Sequence, residues 1–103
     1  MQSSLVERDR HVIWHPYTQM RLAPSPLPIV SGKGTLLQDE NGKNYIDAIS
    51  SWWVNLHGHG HPYLAEKIYE QALKLEQVIF AGFTHAPAIT LAERLLEILP
   101  GNF

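Results

Sequence analysis

The dipeptide Asn41-Gly42 constrains the fold of this chain more than any other part of its sequence. It lies between two short runs, which read Thr-Leu-Leu-Gln-Asp over residues 35–39 and Lys-Asn-Tyr-Ile-Asp over residues 43–47. Asn and Gly both tolerate the positive φ angles of tight hairpin turns, so the sequence predicts a β-hairpin here. A further turn is expected around Lys33, which has a glycine on each side.

The sequence on either side of this hairpin divides the chain into three regions. Residues 1–28 are expected to form an N-terminal arm, in which Ser3 or Ser4 caps a short helix and a proline-rich stretch forms a stiff connector. Residues 29–60 form the β-hairpin region and residues 61–103 form two helices. The predicted fold class is therefore α/β, with a short antiparallel hairpin or sheet followed by two helices.

The two helices are predicted from apolar periodicity. Pro62 suits the first turn of one helix, and a second helix begins near Pro87 and stops at Pro100-Gly101. The first apolar stripe comprises Leu64, Ile68, Ala72, Leu75 and Ile79, and the second comprises Leu91, Leu95, Leu96 and Leu99. Such helices and hairpins leave apolar faces that an α/β fold covers with further strands, so we expect the chain to be a fragment.

The composition excludes several classes of protein. Among the 103 residues, 45% are hydrophobic and 17% are charged, which is typical of a globular protein. The net charge of −2 and the scattered basic residues argue against partners such as nucleic acid or an anionic membrane. The absence of Cys excludes disulfides and thiolate metal sites. The charged opening residues do not suit a signal peptide, and no apolar run reaches transmembrane length, so we expect a soluble cytoplasmic protein.

The run from His57 to Pro62 has histidines at alternate positions. On a strand, His57, His59 and His61 would share one face, which is a spacing that suits zinc or copper. The intervening glycines weaken a strand, however, and Pro62 begins a helix at once. The favoured interpretation is a tight connection whose histidines bond to the backbone or pack on aromatic rings.

Aromatic residues provide the second group of candidates. Trp52 and Trp53 are adjacent on a segment that we expect to be extended, so their side chains should point to opposite faces. One could then enter the core while the other lines a cavity, although two core residues are an equally good interpretation. Tyr17 and Trp14 pose the same question, because the Tyr17 hydroxyl could orient an amine or a carboxylate.

The other polar residues do not form a catalytic centre in the sequence. Thr84 is expected to cap the second of the two predicted helices. The acids Asp39, Glu40 and Asp47 are interpreted as turn and solvent residues. A lysine that forms a Schiff base needs a desolvated or electropositive setting, and the four lysines lie in turns or on polar helix faces. They are Lys33, Lys43, Lys67 and Lys74.

Three motifs follow one another along the chain. They are Trp14-His-Pro-Tyr-Thr-Gln-Met20, Asp39-Glu-Asn-Gly-Lys-Asn-Tyr-Ile-Asp47 and Gly58-His-Gly-His-Pro62. In this order they closely resemble the class III pyridoxal-phosphate aminotransferases. The first motif, with Ser50-Ser-Trp-Trp53 and Phe83-Thr-His-Ala-Pro87, is similar to the adenosylmethionine-8-amino-7-oxononanoate aminotransferase branch, also called 7,8-diaminopelargonate synthase. The resemblance spans almost the whole chain but only the first part of the family's length.

The resemblance implies a fold, an activity and a set of site residues. The fold would be the N-terminal portion of a fold type I pyridoxal-phosphate-dependent transferase, without its large cofactor-binding domain. The family's homodimers convert 8-amino-7-oxononanoate to 7,8-diaminononanoate, commonly with S-adenosylmethionine as amino donor. By this resemblance Trp52 would contact the substrate, Trp53 would line the same apolar wall and Tyr17 would orient the substrate amine.

The same resemblance implies that this chain is incomplete as an enzyme. The lysine that binds pyridoxal phosphate in the family, and the other residues that hold the cofactor, lie beyond the matched region. We therefore expect the isolated chain to be inactive, with no catalytic, cofactor-binding or metal-binding residue of its own. Two alternatives remain at this point: a small subunit of a split enzyme, and a stand-alone metal-binding or interaction module that uses His57, His59 and His61.

Overall fold

A computed structural model describes residues 4–101 of the chain. The chain divides into two compact units, Met1–Ala65 and Glu66–Phe103. The elements, numbered in chain order, are α1 Leu5–Val12, β1 Ile29–Lys33, β2 Leu36–Asp39, β3 Asn44–Ile46, α2 Ser50–Trp53, α3 Pro62–Lys74 and α4 Ala86–Ile98.

Helix α1 begins with a capping box. The Ser4 hydroxyl accepts a hydrogen bond from the Glu7 N–H at 3.2 Å, and the Glu7 carboxylate accepts one from the Ser4 N–H at 2.9 Å. This reciprocal pair satisfies two N–H groups that the first helical turn leaves without partners. The predicted cap is thus confirmed at Ser4, whereas Ser3 lies outside the described residues.

The three strands form one antiparallel sheet in the order β1-β2-β3. Strands β2 and β3 pair with Leu37 opposite Tyr45, and Gly42 in the connecting turn has a φ of +82°. This confirms the hairpin predicted from Asn41-Gly42. Strands β1 and β2 pair with Lys33 opposite Leu36, which confirms a second tight turn directly after Lys33.

The carboxylate of Asp39 closes the β2–β3 turn. Its Oδ1 accepts hydrogen bonds from the N–H groups of Asn41 and Lys43, both at 2.9 Å, and its Oδ2 accepts one from the Tyr45 hydroxyl at 2.9 Å. Asp39 is only 6% exposed. The prediction that Asp39 is a turn residue is correct, but its carboxylate is enclosed by its donors rather than turned to solvent.

The helices of the second half follow the predicted pattern except at their ends. Helix α3 begins at Pro62 as predicted but ends at Lys74, so the last two residues of the predicted stripe lie beyond it. Helix α4 ends at Ile98, just before the predicted stop. Its cap is His85, whose Nδ1 accepts from the Ala88 N–H at 3.4 Å. The prediction of Thr84 is wrong because the helix begins one residue later than that cap requires.

The described residues form no buried apolar core of their own. Within residues 4–101 no hydrophobic side chain is fully buried, and on α4 Leu91, Leu95 and Ile98 are 60%, 48% and 77% exposed. Apolar faces this open are typical of surfaces that contact other protein. In the same part of the chain no helix is long and apolar enough to cross a membrane.

Candidate functional site

Backbone strain marks the candidate site. Within residues 4–101, the non-glycine residues with positive φ are Tyr17 at 53°, Ser50 at 49°, Ser51 at 46°, Trp52 at 66° and Trp53 at 68°. Each such residue costs roughly 1–2 kcal/mol relative to the right-handed conformation. Strain of this kind persists only where surrounding contacts impose it, and it is commonly found at functional sites. The three site residues predicted from the sequence all belong to this group.

Residues Ser50–Trp53 form a single turn of left-handed helix. The ψ angles of Ser51 and Trp52 are 53° and 47°, close to the ideal left-handed values. The Trp53 N–H donates to the Ile49 carbonyl at 2.9 Å, as helical bonds do. The prediction of an extended segment is therefore wrong. Because the backbone is helical, the two indole side chains do not point to opposite faces as they would on a strand.

Tyr17 and Trp52 come into contact within the first unit. Their ring centroids lie 5.3 Å apart and the ring planes are tilted by 57°. Tyr17 is 91% exposed and Trp52 is 61% exposed, so the pair presents an open aromatic surface. Trp53 is 78% exposed and, in the part of the chain described, makes no ring contact with either residue. The structure thus brings together two of the three predicted site residues.

The Asp47 carboxylate binds the left-handed turn through two hydrogen bonds from Ser51. Its Oδ1 accepts from the Ser51 N–H at 3.0 Å, and its Oδ2 accepts from the Ser51 hydroxyl at 2.7 Å. His59 Nε2 donates to the same Oδ2 at 2.7 Å. The Asp47 side chain is 6% exposed. Hydrogen bonds from the Ser51 hydroxyl, the Ser51 N–H and the His59 ring hold the pKa of Asp47 at about 2, below its ordinary value of 3.8.

Glycines allow the backbone contact that places His59 within hydrogen-bond distance of the Asp47 carboxylate. His59 and Gly34 form an antiparallel bridge, with N···O distances of 2.8 and 3.0 Å. Gly58 has a φ of +82°, and a Cβ atom added there would lie 2.9 Å from the Gly34 Cα. The two backbones can approach this closely because Gly58 lacks a side chain. This contact fixes His59, and a further bond to its Nδ1 from the Asn55 amide measures 3.4 Å.

The prediction that the histidine run is a tight connection is confirmed, but the polar network it builds was not foreseen. Sequence reasoning treated Asp47 as a turn and solvent residue and did not connect it with His59. Asp47 precedes Ser51 by four residues, which is one more than the widest spacing between a capping carboxylate and the N–H that it binds, so the sequence did not indicate this contact. The link to His59 has no local signal because it depends on the fold.

Comparison with known proteins identifies the family. Residues 17–102 match the model of the class III aminotransferases. The chain belongs to this family. It is 56% identical, over 88 residues, to the adenosylmethionine-8-amino-7-oxononanoate aminotransferase of Synechococcus elongatus, a match that covers 85% of this chain and 21% of that enzyme. The chain thus spans only about a fifth of the length of this relative.

Solved structures agree with this membership. A crystal structure of the aminotransferase of the same name from Methanocaldococcus jannaschii superposes with a TM-score of 0.86 at 41% identity, covering 93% of this chain and 22% of that one. The omega transaminase of Pseudomonas jessenii in complex with PMP superposes with a TM-score of 0.87 at 37% identity, covering 95% and 22%. These matches confirm the predicted fold class, the N-terminal portion of a fold type I pyridoxal-phosphate-dependent transferase.

The three histidines of the connection do not converge on a metal site. The rings of His57 and His61 lie 6.1 Å apart, while His59 is turned toward Asp47. Among residues 4–101, no group of three His, Cys, Asp or Glu side chains could hold a metal ion. The alternative of a stand-alone metal-binding module therefore has no support.

The lysines of this chain do not fit the covalent attachment of the family's cofactor. All four are exposed. Lys43 lies 4.9 Å from the centroid of the Tyr45 ring, and Lys67 forms an ion pair with Glu70 at 2.8 Å. A lysine that forms a Schiff base needs a setting that favours the neutral amine, and exposed lysines lack it. The aminotransferase family depends on pyridoxal phosphate, but these residues do not provide its anchor.

Proposed function

We propose that this chain is the N-terminal segment of a pyridoxal-phosphate-dependent aminotransferase of biotin synthesis. The complete enzyme would convert 8-amino-7-oxononanoate to 7,8-diaminononanoate, with S-adenosylmethionine as amino donor. The name of the relative from Synechococcus elongatus and the order of the motifs support this assignment. A homodimer in the cytoplasm is part of the proposal. The isolated chain is expected to be inactive, since its lysines do not fit the cofactor.

The contact between Tyr17 and Trp52 carries the proposal. Both residues have left-handed backbones, and their rings meet while remaining largely exposed. Neither ring is buried among the described residues, so packing within this part of the chain does not account for the strain. It is readily explained if the rings are held ready for a ligand.

The chemistry of the substrate fits such a surface. The keto acid 8-amino-7-oxononanoate has a long methylene chain, and each CH₂ group that leaves water for an apolar surface gains about 0.8 kcal/mol. Trp52 would contact this chain directly and Trp53 would extend the same wall. The Tyr17 hydroxyl, on the rim of the ring pair, would orient the substrate amine through a hydrogen bond.

The proposal can be tested in a chimera that is a complete enzyme. Residues 14–102 of this chain would replace the corresponding segment of the Synechococcus elongatus aminotransferase, which is 56% identical over 88 residues. Trp52→Ala should then raise the KM for the keto acid at least about tenfold, because the methylene chain loses its main contact. Trp52→Phe keeps a flat ring and should have a smaller effect. The KM for S-adenosylmethionine should change little in both variants.

Trp14→Ala is the matched control. It removes a ring of equal size from the same unit, and Trp14 is 86% exposed and outside the contact between Tyr17 and Trp52. Its KM for the keto acid should stay within about twofold of the parent. An unchanged KM in Trp52→Ala, or an equal rise in both variants, would contradict the assignment of the wall.

A further inference from the structure

We infer that Asp47 is a positioning residue that sets the left-handed Ser50–Trp53 turn and so holds Trp52 against Tyr17. Asp47 does not contact the proposed substrate wall itself, and it acts through Ser51. The inference rests on the proposed function for its effect on substrate binding. Its effect on the turn can be measured without substrate.

The residues of the Ser50–Trp53 turn do not themselves favour the left-handed conformation. A right-handed turn would form the same kind of backbone hydrogen bond, and serine and tryptophan both favour that hand. The turn contains no glycine, so no residue in it adopts a positive φ freely. Contacts from outside the turn must therefore select the left-handed form.

Asp47 provides such a contact in two parts. One carboxylate oxygen binds the Ser51 N–H at 3.0 Å, and the other binds the Ser51 hydroxyl at 2.7 Å. Two bonds to one residue fix the direction of its N–H and of its side chain together. A right-handed Ser51 would present its N–H and its side chain with a different relative orientation, for which the carboxylate is not placed. The pair of bonds therefore favours the left-handed conformation over the right-handed one.

His59 keeps the carboxylate in place. Its Nε2 donates to the same oxygen of Asp47 that binds the Ser51 hydroxyl, at 2.7 Å. The His59 backbone is in turn bridged to Gly34, directly after strand β1. The Asp47 side chain is 6% exposed, so water has little access to compete for these bonds. A chain of polar contacts thus links the sheet to the left-handed turn.

The consequence for Trp52 follows from its position next to Ser51. If Ser51 leaves the left-handed conformation, the chain after it changes direction and the indole ring moves away from Tyr17, which now lies 5.3 Å from it. Loss of Asp47 should therefore weaken binding of the keto acid.

Asp47→Asn in the chimeric holoenzyme tests the inference. Asparagine has a single acceptor oxygen, so it must lose either the bond from the Ser51 N–H or the bonds from the Ser51 hydroxyl and His59. The KM for the keto acid should rise about tenfold, with kcat within about twofold of the parent. The near-UV circular dichroism should change although every tryptophan is retained, because the indole of Trp52 would leave its contact with the Tyr17 ring.

Asp39→Asn is the matched control for a general loss of structure. Asp39 also accepts three hydrogen bonds and is similarly enclosed, but it closes the β2–β3 turn. This variant should leave both the KM and the near-UV spectrum of the ring pair unchanged. If Asp39→Asn and Asp47→Asn raise the KM equally, the effect is structural loosening and the inference is wrong.

A second substitution provides a rescue. Glycine adopts the left-handed conformation without strain, so Ser51→Gly in the Asp47→Asn background should restore the KM to within about threefold of the parent. Ser31→Gly, in strand β1, should give no rescue in that background. An unchanged near-UV spectrum in Asp47→Asn would overturn the inference. A changed spectrum with an unchanged KM would support the inference and overturn the substrate wall of the proposed function.

Discussion

Two turns of this chain are each closed by one aspartate, and they differ in what supplies the positive φ angles. In the β2–β3 turn, Asp39 binds two nearby N–H groups while Gly42 adopts a φ of +82°. In the Ser50–Trp53 turn, Asp47 binds Ser51 while four residues with side chains adopt positive φ. The first turn is built from its own residues. The second depends on a distant residue, because the Asp47 carboxylate that binds Ser51 also accepts a hydrogen bond from His59, 12 residues further along the chain.

The two carboxylates show the same difference. Burial alone would raise the pKa of Asp39. Hydrogen bonds from the Lys43 N–H, the Tyr45 hydroxyl and the Asn41 N–H together outweigh that effect, so the pKa lies below its ordinary value. These donors all belong to the hairpin. The pKa of Asp47 is held at about 2 by Ser51 and by the distant His59. The β2–β3 turn should therefore tolerate substitutions elsewhere in the chain, whereas the Ser50–Trp53 turn should be sensitive to substitutions near His59.

The largest effect is expected at the bridge that positions His59. Gly58 and Gly42 both have a φ of +82°, so alanine meets the same backbone penalty at either position, about 1 kcal/mol. At Gly58 the added Cβ would also lie 2.9 Å from the Gly34 Cα, whereas at Gly42 nothing lies within 4 Å. Gly58→Ala should therefore lower the free energy of unfolding by about 3 kcal/mol and Gly42→Ala by about 1 kcal/mol.

Urea denaturation of the two chimeric enzymes would measure this difference. Near-UV circular dichroism should also show that Gly58→Ala, but not Gly42→Ala, disturbs the contact between Tyr17 and Trp52. Equal losses of stability in the two variants would show that the close approach of Gly58 to Gly34 is not needed for folding. The Ser50–Trp53 turn would then depend on distant contacts no more than the β2–β3 turn does.

A smaller effect of opposite sign is expected within the Ser50–Trp53 turn. Ser50 has a φ of 49°, and glycine adopts this conformation without strain. Ser50→Gly should therefore raise the free energy of unfolding by about 0.5–1 kcal/mol, in spite of the greater freedom it gives the unfolded chain. Ser31→Gly, in a strand, should lower the same quantity by about 0.5–1 kcal/mol. Thermal unfolding of both variants checks the pair, and a loss of stability in Ser50→Gly would show that the turn is not strained.

The smallest effect is expected from pH. The pKa of Asp47 in the folded protein is about 2, below the ordinary value of 3.8. The stabilisation from this carboxylate is therefore complete above about pH 4 and is lost as the pH falls toward 2. The near-UV signal of the ring pair should stay constant from neutral pH to about pH 4 and decline below it. Asp47→Asn should remove this decline, and an unaltered acid transition in that variant would contradict the role of Asp47.

The features that the sequence predicted well are those that depend on neighbouring residues. The Asn41-Gly42 hairpin, the cap at Ser4 and the start of helix α3 at Pro62 each follow from local chemistry. The end of α3 did not, because the apolar stripe continues to Ile79 beyond the last helical residue. The Gln71 amide donates to the Leu75 carbonyl at 2.9 Å, next to that end, and a periodic pattern cannot show such a contact.

The candidate site was predicted from resemblance, and its physical basis was not. Trp52, Trp53 and Tyr17 were named from motifs, and their roles in binding remain predictions. The left-handed backbone beneath them could not be predicted, since neither serine nor tryptophan favours it. Asp47 and His59 meet only because the bridge to Gly34 brings distant parts of the chain together.

The left-handed turn also influences how this protein could change during evolution. Replacing Trp52 by glycine or asparagine would enlarge the space beside Tyr17 and at the same time relieve the backbone, since these residues accept that conformation readily. A wider substrate range would then come with relaxation of the main chain, which is unusual for the loss of a large aromatic ring. Under the proposed function, selection for binding the keto acid would have to oppose that change continuously. If that proposal is correct, the turn retains Trp52 and Trp53 for binding, although neither residue favours its left-handed backbone.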